Sequence, residues 1–259
     1  MTKTISYLML LFQFALFGTA CVNTQKATYF NNAKDTTFYK SSDVAEAFIQ
    51  KKDILSIAIT SLNPEASSLF NTTNNFVISN TTASGTSAQS SGYLVDVNGD
   101  IQLPILGNIK SAGLTKKQLK DNITQLILEK KLLVDPIVNI RHLNYEVTVI
   151  GEVGHPTVIT VPNEKISLLK ALGLAGDITI YGKKDNVLLI RETEEKKDIR
   201  YVNLNSKDFL NSPYYHLMPN DIVYVEPNKN KVASVGRGTQ LLPIFFSALS
   251  VLTILVTRL

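Results

Sequence analysis

Few residues in this 259-residue chain combine the types and spacing that catalysis needs. The segment GDITIYGKK (176–184) resembles a phosphate-binding loop, but five residues separate its glycines where that loop has four. Lys184 also stands where a serine or threonine would bind magnesium. We therefore interpret 176–184 as a helix cap followed by a turn.

Other constellations for chemistry are missing from the sequence as well. His142, His155 and His216 lie far apart and lack the spacing of metal ligands, so each is interpreted as a surface or turn residue. No GxSxG motif occurs, and the single cysteine, Cys21, permits neither an internal disulfide nor a cysteine-based zinc site. The pattern predicts a protein that is not an enzyme and has no cofactor or metal.

Cys21 has the surroundings of a lipid-attachment site. Lys3 precedes an apolar run over 5–17 that is too short to span a bilayer, and residues 18–20 are small. This pattern predicts a signal peptide over 1–20 and acylation of Cys21, whose acyl chains would anchor the protein. The alternative is a cleaved secretory peptide followed by a free thiol.

The region after the cysteine and the overall charge limit the partners. Residues 21–48 are polar and lack periodicity, which is typical of a tether. The net charge is only +4, and no stripe of lysine and arginine alternates with aromatic residues. Nucleic acid is therefore not expected as a partner.

The middle of the chain is predicted to fold as an α+β protein with two small sheet-plus-helix units. In the first, over 49–145, alternation over 51–60 predicts a strand, and 67–91 reads as a long loop. A hairpin is expected over 92–107 with its turn at Asn98-Gly99. A helix should start at Thr115, because Thr115 and Gln118 form a capping box.

The second unit, over 146–228, alternates strands with one short helix, and Gly176 stands where a helix C-cap glycine is expected. The stretch Asp53-Ile-Leu-Ser-Ile of the first unit is echoed here by Asp221-Ile-Val-Tyr-Val. This is a weak internal repeat of a turn followed by a strand.

A series of segments resembles the outer-membrane polysaccharide export family: GYLVDVNGDIQLPILGNIKSAGLT, DPIVNIR, VTVIGEV, LGLAGDITIYGKKDNVLLIRE and NDIVYVEP. Their order and spacing over about residues 50–228 carry the resemblance. It implies a polysaccharide-export domain followed by a soluble-ligand-binding β-grasp domain. Lys52 and Asn220 depart from a glycine common before each aspartate, and His155-Pro156 replaces the usual Pro-Gly.

The segment after Cys21 is not acidic, which favours soluble domains in the periplasm over the cell exterior. The resemblance implies a component of the outer membrane. It would assemble into a homo-oligomeric ring that carries capsular or exopolysaccharide to the cell surface, supplied by an inner-membrane polysaccharide co-polymerase. A polymer in transit calls for weak polar contacts. Tyr214, Tyr215 and Tyr224 are candidates for stacking on sugars, although core or edge packing of each remains the alternative.

The C-terminus predicts a second attachment to the membrane. After a hinge over 229–238, residues 241–256 carry no charge, and a transmembrane helix is expected over 239–259 with Pro243 in its first turn. One helical face carries hydroxyl residues that could line a pore or pack between helices. These candidates are Ser247, Ser250, Thr253 and Thr257.

Two other functions stay open from the sequence. The chain could be a non-conducting adaptor at the outer membrane that binds polysaccharide or an inner-membrane partner through its β-grasp domain. It could also modify polysaccharide, but no pair of carboxylates is recognisable that would act as acid and base.

Overall fold

The structure is a computed structural model of the chain. The mixed α+β class expected from the sequence is confirmed, with small sheets and few helices. The structure describes residues 28–31, 33–35, 37, 46–71, 78–81, 87–90, 92–193, 196–235 and 237–258. The predicted signal peptide over 1–20 and the lipidation site Cys21 lie outside the described residues.

The strands in chain order are β1 (Ile54–Thr60), β2 (Ile78–Thr81), β3 (Ser87–Ser90), β4 (Tyr93–Leu94), β5 (Asp100–Leu103), β6 (Gly107–Lys110), β7 (Ile137–His142), β8 (Glu146–Gly151), β9 (Thr157–Thr160), β10 (Ile166–Ser167), β11 (Gly182–Glu192), β12 (Lys197–Val202), β13 (His216–Leu217) and β14 (Ile222–Pro227). The helices are α1 (Pro64–Ser68), α2 (Lys116–Glu129), α3 (Leu168–Leu174), α4 (Lys229–Val235) and α5 (Arg237–Arg258), with a 3-10 helix at Lys207–Asn211.

The first unit is built on an antiparallel sheet in the order β4-β1-β7, with α2 packed against β7. The capping box at the start of α2 is confirmed, since Thr115 and Gln118 each accept the other's backbone N–H. Leu119, Ile123 and Ile127 recur at helical spacing and are fully buried in the core of this unit. The side chains of one helix face therefore hold the sheet and the helix together.

The hairpin of the first unit lies later in the chain than the sequence suggested. Gly99 takes the expected positive φ, 85°, but the strands on either side of it do not pair with each other. β4 pairs with β1, and the true hairpin joins β5 to β6. The predicted turn itself does form, since the N–H of Gly99 donates to the Asp96 carbonyl at 3.0 Å and the Asp96 carboxylate accepts the N–H groups of Asn98 and Asp100.

The expectation of an unbroken loop over 67–91 is also wrong. α1 begins at Pro64 because Asn63 caps it, accepting the N–H of Ala66 at 3.2 Å, and it ends at Ser68. Further along, β2 and β3 form an antiparallel pair. Such a ladder is held by backbone hydrogen bonds, so a segment rich in Ser, Thr and Asn can form it without an apolar pattern.

The second unit contains a five-stranded sheet in the order β12-β11-β14-β8-β9, in which β14 and β8 are parallel and the other pairs antiparallel. α3 packs on one face through Leu168 and Leu172, which are buried with the inward residues of the sheet. Gly176 follows the helix at a φ of 79°, which confirms the predicted cap. The expectation that 176–184 is a cap and a turn is likewise confirmed, since β11 begins at Gly182.

Part of the predicted tether is docked on this second unit. The N–H of Phe30 donates to the carbonyl of Leu204 at 3.2 Å, and that of Asn31 to the carbonyl of Asn205 at 2.8 Å. The rings of Tyr29 and Phe30 are partly buried against the second core. The absence of periodicity did not predict this, because two aromatic residues are enough to dock a short segment.

The C-terminal segment departs from the sequence-based expectation in three ways. The predicted hinge over 229–238 contains the helix α4, and Pro243 lies inside α5 instead of in its first turn. In the described part of the chain, no helix has both the length and the apolar content to cross a membrane. The transmembrane helix expected over 239–259 is therefore corrected, since the uncharged run 241–256 rises only about 24 Å against about 30 Å of hydrocarbon.

Candidate functional site

Two turns of the same geometry lead into a central strand, one in each unit. The first turn, Gln50–Asp53, precedes β1, and the second turn, Met218–Asp221, precedes β14. In both, the N–H of the last residue donates to the carbonyl of the first, and the third residue has a positive φ. That third residue is Lys52 at 70° and Asn220 at 65°, the two positions where the family resemblance expects glycine.

Each turn also ends on a buried carboxylate that bonds back to the start of the turn. Asp53 is 2% exposed and accepts the N–H of Gln50 at 2.8 Å. Asp221 is fully buried and accepts the N–H of Met218 at 2.7 Å. The internal repeat seen in the sequence therefore corresponds to one backbone device used twice.

The first turn belongs to an ionic cluster where the two units meet. The His142 side chain is 3% exposed, and its Nε2 lies 3.3 Å from Asp53 Oδ2, an ion-pair distance without hydrogen-bond alignment. The backbone N–H of His142 donates to Glu164, and Lys116 forms an ion pair with the same carboxylate. Glu164 belongs to the second unit, so this cluster ties β7 and α2 of the first unit to it.

The second turn forms a more tightly bonded pair inside its own unit. Arg191 donates to Asp221 through Nε at 2.9 Å and through a terminal nitrogen at 2.7 Å, a bidentate geometry. The Tyr145 hydroxyl nearby donates to the carbonyl of Leu217 at 2.6 Å. Burial, with a contribution from the Asp221 charge, raises the pKa of Tyr145 to about 12, so this phenol stays neutral near pH 7.

The three tyrosines predicted as sugar contacts do not lie together. Tyr214 and Tyr215 pack against the second core, with the Tyr215 ring 5.5 Å from that of Phe209. Tyr224 lies between the buried Val223 and Val225 on β14, so strand alternation turns it to the opposite side of the sheet. Packing in the core explains the first two, and only Tyr224 faces away from it.

Tyr224 belongs to an apolar surface on the sheet, which we call the outer face. In the register of the strands it neighbours Leu188, which in turn neighbours Tyr201, and on its other side lies Ile150. Tyr201 is 64% exposed. A second row follows it, and its members are Ile199, Ile190, Ile222, Thr148 and Val158.

Sequence reasoning missed Tyr201 as a partner of Tyr224. The two lie on strands separated by β11, so strand spacing puts their backbones about 10 Å apart. The sequence did indicate that both tyrosines lie on strands, because each occupies an alternating position of a strand-like segment. The strand order was the missing information. Together they present two aromatic rings on one surface, an arrangement that suits the apolar faces of sugars.

A polar groove lies on the first unit between the β5-β6 hairpin and α2. Its volume is about 320 Å³, and Ile109 and Leu126 contribute its apolar lining. The amides of Asn108, Asn122 and Gln125 supply donors and acceptors, and Gln125 donates to Glu129 at 2.7 Å. Amides flanking apolar atoms can hydrogen-bond neutral hydroxyls, which is the chemistry that sugars offer. The i, i+3 spacing of Asn122 and Gln125 was visible in the sequence.

The remaining candidates lie in α5. Ser247 donates to the carbonyl of Ile244 at 2.9 Å, and Ser250 donates to that of Ser247 at 2.8 Å, both within the helix. The backbones of Thr253 and Thr257 belong to α5, and their side chains lie outside the described part of the structure. Exposed apolar side chains are also found along the described part of the helix, and Phe245 is 71% exposed.

No metal-binding geometry is found among the described residues. The groups of histidine, cysteine, aspartate and glutamate in that part of the chain include none that could hold a metal ion. His142 belongs to the cluster at the first turn, and the His216 ring packs edge-on against Tyr215. His155 follows Gly154 in the bend that approaches Gly176. The structure therefore does not bring the three histidines together.

Comparison with known proteins finds a match that falls within the first part of the chain. Residues 41–143 match the sequence model of a family described as polysaccharide biosynthesis/export protein. This range covers β1 to β7 and α2, and so includes the first turn and the groove.

Two relatives carry the name EPS I polysaccharide export outer membrane protein EpsA. The protein from Ralstonia solanacearum is 38% identical over 92 residues, which are 34% of this chain and 24% of that protein. The protein from Ralstonia nicotianae is 38% identical over 105 residues, which are 39% of this chain and 27% of that protein. The chain thus matches about a quarter of the length of these relatives.

The family resemblance inferred from the sequence is confirmed by these matches. These matches cover residues 41–143, so the part of the resemblance that concerns the second unit stays a prediction.

Proposed function

We propose that the chain is an outer-membrane component that exports a capsular or exopolysaccharide. The observation that carries this proposal is the family match over 41–143, which falls on a unit with its own buried core. The names of the two relatives support both the polysaccharide cargo and the outer membrane. An export protein needs no catalytic centre, so the proposed role is not enzymatic.

In this proposal Cys21 is acylated and holds the chain on the outer membrane, with both units in the periplasm. The polar segment that follows Cys21 is not acidic, and this favours the periplasmic side. Several acyl chains together anchor a protein stably, because each buried CH2 contributes about 0.8 kcal/mol.

The working form would be a homo-oligomeric ring through which the polymer passes. An inner-membrane polysaccharide co-polymerase would deliver the polymer, and polymerisation would drive its movement, because no nucleotide-binding motif is recognisable in the sequence. Ser247, Ser250, Thr253 and Thr257 are candidates for close packing between the α5 helices of neighbouring copies.

Two surfaces are proposed to touch the polymer. The outer face offers the rings of Tyr201 and Tyr224, and the groove offers the amides of Asn108, Asn122 and Gln125. Both are open, and neither concentrates charge of one sign. Weak contacts of this kind would guide a neutral or mildly charged chain without stalling it.

A second candidate function is a non-conducting adaptor. The observation that favours it is the exposed outer face of the second unit, because apolar surfaces of this kind often mark interaction sites. In that case the same face would bind polysaccharide or a partner protein, and no opening would run through the assembly.

The proposed function is tested in the bacterium that makes the polymer. We expect deletion of the coding sequence to abolish surface polysaccharide while polymer accumulates in the periplasm, and the wild-type chain to restore export. The Cys21→Ser variant should restore little, because the anchor is lost. Immunolabelling of whole cells and of periplasmic extracts measures the two pools.

Imaging of the detergent-extracted protein separates the two candidate functions. Closed rings with an axial opening are expected for a conduit, and rings or single copies without an opening would favour the adaptor. Unchanged surface polysaccharide in the deletion strain would contradict both.

A further inference from the structure

The two ends of the folded body meet at one loop of the second unit, Asp177–Tyr181. On the N-terminal side, the Tyr29 hydroxyl donates to the Asp177 carboxylate, and Lys184 lies 4.3 Å from the centre of the Tyr29 ring. Burial, and then the hydrogen bond to Asp177, raise the pKa of Tyr29. The N-terminal segment is thus held against this loop.

The C-terminal side is attached to the same loop. Asn228 accepts the N–H of Lys231 at the start of α4, and its own amide donates to the carbonyl of Ile180 at 3.1 Å. Lys231 lies 5.2 Å from the centre of the Tyr181 ring and 3.4 Å from a Glu152 carboxylate oxygen. The path that leads to the exposed apolar helix α5 therefore starts beside Asp177–Tyr181.

The first unit contacts the opposite end of the second unit. β11 begins at Gly182, next to the loop, and ends at Glu192, whose carbonyl accepts a hydrogen bond from Gln50 of the first unit at 3.3 Å. The strand has 11 residues, so these two contacts lie roughly 33 Å apart along it. The loop thus lies at one end of the second unit, and the first unit contacts the other end.

The loop presents an apolar tip that the fold does not use. Ile180 is 80% exposed, whereas Ile178, two residues earlier, is 5% exposed and belongs to the core. Thr28 lies seven positions after Cys21 in the chain, a reach of at most about 25 Å. An acylated Cys21 would therefore keep Tyr29, and with it this loop, close to a bilayer.

We propose that the Asp177–Tyr181 end of the second unit rests on the lipid bilayer, with Ile180 entering its interface. The inference depends on the acylation of Cys21 that the proposed function includes. Tyr29 and Tyr181 flank the tip with amphipathic rings suited to the boundary between headgroups and acyl chains. In this orientation the first unit points away from the outer membrane, toward the inner-membrane co-polymerase that would deliver the polymer.

The test uses the full chain, purified from membranes and reconstituted into phosphatidylethanolamine–phosphatidylglycerol vesicles with a nitroxide on the lipid headgroup. An Ile180→Cys variant carries a thiol-reactive fluorophore. The matched control, Val134→Cys, labels an 86% exposed apolar residue of the first unit. Fluorescence quenching should be roughly threefold stronger or more at position 180, because a residue at the interface sits within ~10 Å of the headgroups.

Equal or stronger quenching at position 134, or no quenching at position 180, would overturn the proposal. A blue-shifted probe at position 180 without quenching would indicate that a second copy covers the loop, and this too counts against it. Labelling of the wild-type chain reports separately on the anchor, since dye on Cys21 would contradict acylation. In that event the anchor of the proposed function fails and the loop proposal fails with it, whereas absent quenching at position 180 of an acylated chain overturns the loop proposal alone.

Discussion

The first turn and the second turn have the same backbone and different partners. Both begin their strand with a positive-φ residue and end on a buried aspartate that accepts the turn's first N–H. Asp53 then faces His142 at the boundary between the units, whereas Asp221 holds Arg191 in a bidentate pair within one unit. The backbone of the turn is therefore independent of the side chain that faces its carboxylate.

The difference matters because arginine and histidine side chains respond differently to the loss of the aspartate that they face. Arginine stays charged at every accessible pH, so a buried Arg191 without Asp221 would keep an unpaired charge. Histidine can give up its proton and become a neutral ring. Removal of the aspartate should therefore destabilise the protein more at the second turn than at the first, although the two backbones are the same.

The largest effect is expected from Asp221→Ala. This change leaves the guanidinium of Arg191, only 13% exposed, without its carboxylate, and should lower the free energy of unfolding by about 3–5 kcal/mol. Urea unfolding of the detergent-solubilised full chain, followed by circular dichroism, measures it. The double change Asp221→Ala with Arg191→Met removes both charges and should recover most of the loss. If it recovers nothing, the pair is not the cause.

Asp53→Ala should cost less, about 1–3 kcal/mol in the same unfolding experiment. It removes the acceptor for the partly buried Gln50 N–H, and it leaves no guanidinium without a carboxylate. Asp121→Ala, at an exposed position of α2, is the matched control and should stay within about 0.5 kcal/mol of the wild-type chain. A larger cost at Asp53 than at Asp221 would reverse the comparison of the two turns.

The smallest effects concern the residue with positive φ. Lys52→Gly should raise the free energy of unfolding by about 1 kcal/mol, because a left-handed conformation strains a side chain with a Cβ. Asn220→Gly should raise it by a few tenths of a kcal/mol at most, since asparagine tolerates this region. The thermal midpoints of the two variants compare them directly. A greater gain at Asn220 would show that Lys52 is not strained.

Much of the fold was predictable where local rules agree. The capping box of α2, the glycine after α3 and the alternation of β1 all follow from short stretches of sequence. The repeat of an aspartate before a strand was also visible, and the structure shows what it means. The turn at Asn98-Gly99 formed as expected, but the strands on either side of it pair with β1 and β6, and the turn residues do not decide that pairing.

The candidate surfaces were less predictable because they depend on which strands are neighbours. The sequence grouped Tyr224 with Tyr214 and Tyr215. In the sheet, Tyr224 instead shares the outer face with Tyr201, which lies farther away along the chain but only two strands away. The docking of Tyr29 beside Asp177 joins residues that are 148 positions apart. No local periodicity carries information over such a separation.

The sequence by itself determined the likeness of the first unit to a polysaccharide export family, the buried faces of its main elements and the places where the backbone has a positive φ. These depend on residue type and on contacts within a few positions, so they can be recognised in a single chain. Only the tertiary structure decided that His142 meets Asp53 while Arg191 meets Asp221, and that both termini leave beside Asp177–Tyr181. Such pairings arise when strand order and packing bring distant segments together. Before that, several acidic residues of the chain could pair equally well with the same basic side chain.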